Sequence, residues 1–164
     1  MSTDLVKGVQ PDAGPAPADL LGKQISLRPG VIFDTAPLGS SFGNCIQQPN
    51  EEYKVNSTVI VRFVSGHPQN DLLTESTFLT VEKLNEHDGT TKVIATDSSL
   101  ETKFFWKRTN ALLGRSEVTI TWTIPNDTEP GFYKITHHGS YKSILSSPKS
   151  YSGQSNLFKV SNSE

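Results

Sequence analysis

Four histidines are the residues of this sequence best suited to binding a metal ion. His67 and His87 lie among turn-forming residues, and His137 and His138 follow one another in an alternating apolar stretch. Neighbouring residues of a strand point to opposite faces, so His137 and His138 cannot share an ion without a bulge. No cysteine or acidic residue stands at a recognisable ligand spacing. We therefore predict no metal site and interpret the histidines as surface or half-buried imidazoles, with a small metalloenzyme as the weakest alternative.

The side chains that could act as nucleophiles or acid–base groups show no catalytic arrangement. Cys45 is the single cysteine, so it cannot form an intramolecular disulfide. Its neighbours, FGNCIQQP, include no histidine to activate the thiol, and we interpret it as a small apolar filler. The sequence contains no glycine-rich phosphate loop. We predict no catalytic residue in this chain.

One short stretch combines aromatic and basic residues, and two interpretations of it compete. Phe105, Trp106, Lys107 and Arg108 could contact lipid headgroups or another domain, because aromatic rings with basic side chains favour an interface. Alternatively, the stretch is a core strand with Phe104 and Trp106 facing inward. The structural interpretation is favoured, because the stretch is too short to act as a membrane anchor by itself.

Two N-x-S/T tripeptides could accept an N-linked glycan. They begin at Asn56 and Asn126, and both coincide with predicted turns where a glycan would be tolerated. Such tripeptides also occur by chance in proteins that never meet the glycosylation machinery.

The elements that would position these residues are centred on the stretch 118–139, VTITWTIPNDTEPGFYKITHHG. Apolar residues alternate with threonines up to Trp122 and Ile124, as in a strand with one buried face. Pro125 ends this strand, and a second alternating strand begins after Gly131. Tyr133 then stands where immunoglobulin-like domains carry the tyrosine of their corner motif, two residues before a core position. Trp122 and Tyr133 are the predicted structural residues of the core.

The remaining sequence predicts an all-β, immunoglobulin-like antiparallel sandwich of about seven strands with an extended N-terminal arm. We divide the chain into a disordered or linker lead over 1–19, an extended arm over 20–41, and the sandwich domain over 42–164.

The net charge of −2 from 15 basic and 17 acidic residues argues against nucleic acid as a partner. No apolar run reaches the length of a membrane-spanning helix, and residues 1–10 lack the apolar centre of a signal peptide.

Several phrases in the sequence resemble the C-terminal domain of neutral ceramidases of the neutral/alkaline non-lysosomal type. They occur in the family's order and at similar spacings, and the resemblance covers roughly residues 20–160. The phrases are LLGKQISL at 20–27, PLGSSFG at 37–43, TFLTVEKL at 77–84, LETKFFWKR at 100–108, LLGRSEVTITWTIP at 112–125 and EPGFYKITHHG at 129–139.

The resemblance implies a non-catalytic role for this chain. Neutral ceramidases hydrolyse the N-acyl amide of ceramide to sphingosine and a fatty acid, using zinc and a serine motif in a large N-terminal domain. No phrase here resembles that serine segment, so no catalytic residue of the family carries over. The expected partners are the catalytic domain of the parent enzyme and a membrane surface. The parent is expected on the secretory route: extracellular, at the cell surface, or in the lysosomal or Golgi lumen. A freestanding immunoglobulin-like protein-binding module is the alternative.

Overall fold

A computed structural model describes residues 33–68, 78–144 and 146–162 of this chain. The predicted lead over 1–19 and residues 20–32 of the predicted arm lie outside the described residues. Within the described residues there are ten strands and no α-helix. The strands are β1 (Cys45–Gln47), β2 (Glu52–Lys54), β3 (Thr58–Ser65), β4 (Leu79–Leu84), β5 (Thr91–Thr96), β6 (Thr102–Asn110), β7 (Arg115–Thr123), β8 (Gly131–Tyr141), β9 (Lys149–Gln154) and β10 (Phe158–Ser161).

The strands form two sheets that enclose one core. The first sheet has the order β1-β3-β7-β6. The second has the order β2-β10-β8-β4-β5, with β9 also pairing with the long strand β8. Every pairing is antiparallel except that of β10 with β2, which is parallel. The all-β, two-sheet prediction is therefore confirmed, with ten strands in place of about seven and with one parallel pair.

Strand β9 lies inside the serine-rich stretch 143–155. Its residues are mostly exposed and polar, so it lacks the apolar alternation by which a strand is recognised. It forms because the backbone of β8 offers it a ladder from Thr136 to Tyr141. A close approach also requires glycine here, since a Cβ on Gly153 would lie 1.7 Å from the carbonyl oxygen of Gly43.

The core is filled by the inward faces of the central strands. On β7 the alternation continues as predicted, and Val118, Ile120, Trp122 and the following Ile124 are fully buried. The Trp122 ring lies 5.5 Å from the ring of Tyr133 and 6.2 Å from that of Phe158, both on the opposite sheet. Trp122 therefore joins the two sheets through aromatic packing, which favours offset or tilted rings at these separations.

Tyr133 lies at the corner between β7 and β8. Its side chain is almost fully buried, and its hydroxyl donates a hydrogen bond to the backbone carbonyl of Glu129 at 2.5 Å. Burial, with the nearby Glu129 charge, raises the pKa of Tyr133 to about 12. The hydroxyl thus stays protonated and serves as a donor that ties the turn to the start of β8.

Replacement of the central tryptophan should be strongly destabilising. We expect Trp122→Ala to lower the free energy of unfolding by about 3–5 kcal/mol, because it leaves a cavity between the sheets. Urea unfolding followed by circular dichroism measures this change. Ile60→Ala, at a partly exposed position of β3, is the control and should cost less than about 1 kcal/mol. Equal losses in the two variants would contradict the packing described.

Removal of the corner hydroxyl tests a single hydrogen bond. Tyr133→Phe should lower the free energy of unfolding by about 1–3 kcal/mol, because the Glu129 carbonyl loses its donor. Tyr141→Phe is a matched control, since the ring of Tyr141 stacks on Phe42 at 4.1 Å and that stacking is kept. An unchanged melting temperature for Tyr133→Phe would remove the role assigned to this corner.

Candidate functional site

A buried ion pair holds the segment that leads into the first sheet. The Asp34 carboxylate is almost completely buried, and its Oδ1 atom lies 3.1 Å from Nη1 of Arg108 on β6. The same carboxylate accepts backbone hydrogen bonds from His67 at 2.9 Å and from Lys142 at 3.0 Å. We call these four residues the anchor site. They bring together the start of the described chain, the end of β3, β6 and the end of β8.

Further hydrogen bonds fix the backbone on both sides of Asp34. Arg108 donates through Nη2 to the Phe33 carbonyl at 2.9 Å and through Nη1 to Ser116 at 2.8 Å. The amides of Asp34 and Thr35 donate to the carbonyls of Lys142 and Gly114. Gly114 is needed because its φ is +71° and a Cβ there would lie 2.8 Å from the Phe33 carbonyl oxygen. The segment from Phe33 to Thr35, which we call the entering segment, is thus held by both main-chain and side-chain hydrogen bonds.

The electrostatics of the anchor site follow from its burial. Burial raises the pKa of the Asp34 carboxyl above its usual value, although Arg108 and the amide hydrogen bonds act in the opposite direction. His67 packs its ring edge-on against Trp106 at 4.4 Å. Burial, and secondarily the positive charge of Arg108, lower the pKa of His67 to about 3. In the anchor site the opposite charges of Asp34 and Arg108 therefore lie together beside a neutral imidazole.

His137 occupies the core between the sheets and is held in one tautomer. Its Nδ1 lies 3.0 Å from the Phe78 carbonyl, which can only accept, so Nδ1 carries the proton. Its Nε2 then accepts from the hydroxyl of Tyr151 at 2.9 Å, and that hydroxyl accepts the Gly66 amide. Burial is the main cause that lowers the pKa of His137 to about 4. This network keeps His137 neutral.

The four histidines do not come together as a ligand set. His67 and His137 border the same small pocket, but His138 points to the other face of β8 and contacts Thr80 at 3.3 Å. His87 is exposed in the turn between β4 and β5. Within residues 33–68, 78–144 and 146–162, no three histidine, cysteine or acidic side chains lie close enough to hold a metal ion.

The aromatic and basic stretch on β6 divides between core and surface. Trp106 is buried and Arg108 is engaged by Asp34, so these two are not available to contact a lipid surface or another domain. The favoured interpretation of this stretch, a core strand with Phe104 and Trp106 facing inward, agrees with their burial. Phe105 is half-buried and Lys107 is exposed. A contact through these two residues stays a prediction.

The two candidate glycosylation residues lie side by side at the end of the sandwich opposite the anchor site. Asn56 Nδ2 donates to Asn126 Oδ1 at 3.3 Å, and both residues are exposed. Asn56 has a φ of 72°, a left-handed conformation that asparagine tolerates better than most residues. Modification of either residue stays a prediction.

Cys45 is half-buried in β1, and its Sγ lies 3.3 Å from the carbonyl of Gln47. Burial raises the pKa of the thiol, which disfavours the thiolate that a nucleophile requires.

In the part of the chain that the structure describes, no helix has the length and apolar character needed to cross a membrane.

Comparison with known proteins identifies the family of this chain. The family model described as neutral/alkaline non-lysosomal ceramidase, C-terminal, matches residues 1–160. The chain belongs to this family. The resemblance inferred from the sequence phrases is confirmed, and the matched part of the family is its C-terminal domain.

Relatives from distant organisms show the same partial match. Neutral ceramidase of Drosophila melanogaster is 47% identical over 150 residues, which cover 91% of this chain and 21% of that protein. Neutral ceramidase 1 of Arabidopsis thaliana is 40% identical over 163 residues, 98% of this chain and 21% of that protein. The crystal structure of neutral ceramidase from Pseudomonas aeruginosa matches with a TM-score of 0.76 and 39% identity over 82% of this chain and 21% of that chain. The chain thus spans about a fifth of the length of these relatives.

The buried ion pair should show strong coupling in a double-mutant cycle. Asp34→Asn or Arg108→Met alone should each lower the free energy of unfolding by about 3–5 kcal/mol, because a buried partner is left uncompensated. The double variant should lose clearly less than the sum of the two. Arg62 and Glu117, a half-exposed pair at 3.5 Å in the same sheet, provide the control cycle. A surface pair contributes about 0–1 kcal/mol, and a coupling of that size between Asp34 and Arg108 would contradict the anchor site.

The pH dependence of stability should depend on His137. Its pKa is about 4 in the folded chain against 6.5 for an ordinary histidine, so the unfolded state binds more protons between these values. Its contribution is complete above pH 6.5 and is lost as the pH falls towards 4. We expect His137→Gln to remove roughly 2 kcal/mol of the difference in unfolding free energy between pH 7.5 and pH 5.

The control for this pH experiment is His87→Gln, at an exposed position. This substitution should leave the pH dependence of stability as in the unsubstituted chain. His67 is present in both variants, so its contribution to the pH dependence, which has the same direction as that of His137, cancels in the comparison. Urea midpoints at the two pH values provide the comparison. Identical pH profiles for the His137 and His87 variants would show that His137 is not held neutral.

Proposed function

We propose that this chain acts as the non-catalytic, immunoglobulin-like C-terminal domain of a neutral ceramidase. The parent enzyme hydrolyses the N-acyl amide bond of ceramide to sphingosine and a fatty acid. This domain supports the folding, stability, secretion or membrane placement of the catalytic domain. The observation that carries the proposal is the match to the C-terminal part of the family over 21% of the relatives' length.

The anchor site supports a role in joining two domains. The backbone from Phe33 to Thr35 is fixed at one end of the sandwich by a buried ion pair and backbone hydrogen bonds. A fixed backbone at this position leaves less freedom to a domain attached before it than a mobile backbone would. The catalytic domain is therefore the partner that this domain serves.

The zinc that the family resemblance implies belongs to the catalytic domain of the parent. In the described residues the histidines contribute no three-ligand group, and the imidazoles of His67 and His137 are buried in the core. No step of the hydrolysis is assigned to side chains of this chain. The exposed sequons at Asn56 and Asn126 support a parent on the secretory route.

A rescue experiment tests this function. The catalytic domain of Drosophila melanogaster neutral ceramidase, without its own C-terminal domain, is mixed with the purified 164-residue chain, and ceramide hydrolysis is followed over time. We expect the chain to bind the catalytic domain and to raise or prolong its activity. The chain alone is the control and should hydrolyse no ceramide.

Two results would overturn the proposal. Absence of binding and rescue would favour a freestanding protein-binding module with a different partner. Hydrolysis by the chain alone, lost on a point substitution within it, would show that the chain itself is catalytic.

A further inference from the structure

Two asparagines that begin N-x-S/T tripeptides lie next to each other, and the structure distinguishes between them. Asn56 precedes β3, and Asn126 lies in the turn between β7 and β8. Both side chains are exposed, and Nδ2 of Asn56 donates to Oδ1 of Asn126 at 3.3 Å. Each tripeptide has a threonine at its third position, which supplies the hydroxyl that the sequon requires. The surroundings of the two tripeptides nevertheless differ.

The backbone explains why an asparagine stands at position 56. Its φ of 72° is left-handed, a conformation that asparagine adopts at lower cost than most other residues. The Asn56 amide donates to the Ile124 carbonyl at 2.7 Å, which fixes this turn beside the end of β7. Asparagine at this position is thus accounted for by the turn, without any modification.

Pairing of β3 with β7 closes the tripeptide at Asn56. Thr58 is the first residue of β3 and lies opposite Thr123 in the ladder, and their two hydroxyl oxygens are 3.0 Å apart. Ser57 donates its hydroxyl to the Lys54 carbonyl at 2.5 Å. Once the domain has folded, an enzyme that binds this tripeptide would have to take Thr58 out of the sheet.

The tripeptide at Asn126 lies in a turn whose hydrogen bonds are local. The amide and the hydroxyl of Thr128 both donate to the Pro125 carbonyl, at 3.1 Å and 2.8 Å. Asn126 and Asp127 are exposed, and the turn lies outside the strands. Among the described residues, no hydrogen bond engages Nδ2 of Asn126. This tripeptide therefore stays accessible to an enzyme after the sandwich has formed.

The hydrogen bond between the two carboxamides has a direction that distinguishes their nitrogens. Asn126 contributes its oxygen, so its nitrogen is the branch of the carboxamide turned away from Asn56. A sugar on Nδ2 of Asn126 leaves that oxygen in place as the acceptor. A sugar on Nδ2 of Asn56 would replace a proton of the donor nitrogen and would be placed against the Asn126 side chain.

We propose that Asn126 is the acceptor of an N-linked glycan and that Asn56 is not. This inference rests on the secretory route in the proposed function and assigns the modified atom. In the transfer, Nδ2 of Asn126 forms a bond to the anomeric carbon of the first sugar of a polyprenyl diphosphate-linked oligosaccharide. The bond between that carbon and the diphosphate oxygen breaks, and the diphosphate leaves with the electron pair. The amide nitrogen loses one proton to a base of the transferase.

Peptide mapping of the expressed chain tests this assignment. The 164-residue chain is produced in insect cells behind a cleavable signal peptide, and its glycans are removed by a peptide-N-glycosidase in water labelled with heavy oxygen. This enzyme converts a glycan-carrying asparagine into labelled aspartate, which mass spectrometry locates. We expect one glycan per chain, at Asn126, with Asn56 recovered as unlabelled asparagine. Chain retained inside the cells is mapped in the same way, so the result does not depend on secretion.

Matched variants separate the two tripeptides. Asn126→Gln removes the acceptor and Thr128→Val removes the hydroxyl of the same sequon, so each should abolish the glycan. Thr58→Val removes the hydroxyl of the other sequon with a β-branched residue that suits a strand, and it should leave the glycan in place. Asn56→Gly keeps a residue that tolerates a positive φ and should also leave the glycan in place.

The outcomes separate this inference from the proposed function. A glycan on Asn56, in the unsubstituted chain or in Asn126→Gln, would overturn the inference, and so would a chain that carries no glycan. The rescue of ceramide hydrolysis is measured with chain from a bacterial host that attaches no N-linked glycan. A failed rescue contradicts the proposed function, whereas a glycan missing from Asn126 contradicts only this inference.

Discussion

The buried carboxylate of Asp34 is the constraint on which the N-terminal end of this domain depends. A charge taken out of water is costly unless it is paired and fully hydrogen-bonded. Arg108 provides the opposite charge, and the amides of His67 and Lys142 complete the shell. These partners come from three separate parts of the chain, so they must all be in place before the charge is satisfied. The segment from Phe33 to Thr35 is consequently fixed in one position.

Burial also determines the state of two histidines of this domain. His67 and His137 are buried and kept neutral, one against Trp106 and the other between Phe78 and Tyr151. Such imidazoles contribute packing and specific hydrogen bonds, and they resist protonation over the physiological range. His67 and His137 therefore help to hold the two sheets and the segment from Phe33 to Thr35 together.

Local alternation in the sequence was sufficient to predict the central strands and the burial of residues such as Ile120 and Trp122, because one face of each strand is apolar. The same alternation, extended from Phe104 and Trp106 by one step, would have placed Arg108 on the inner face. Nothing local could identify its partner, since Asp34 lies 74 positions away and Lys142 lies 108 positions beyond Asp34. Strand β9 and the parallel pairing of β2 with β10 could not be predicted for the same reason. Backbone hydrogen bonds between distant segments determine both.

Hydrogen exchange at the anchor amides tests the central claim most directly. The His67 and Lys142 amides donate to the Asp34 carboxylate, so both should exchange slowly in the unsubstituted chain and much faster in Asp34→Ala. The Asn56 amide, which donates to the Ile124 carbonyl at the far end of the sandwich, should exchange equally slowly in both. Accelerated exchange confined to the anchor amides is the predicted result. Unchanged exchange at His67 and Lys142 would contradict the claim that Asp34 holds the entering segment in place.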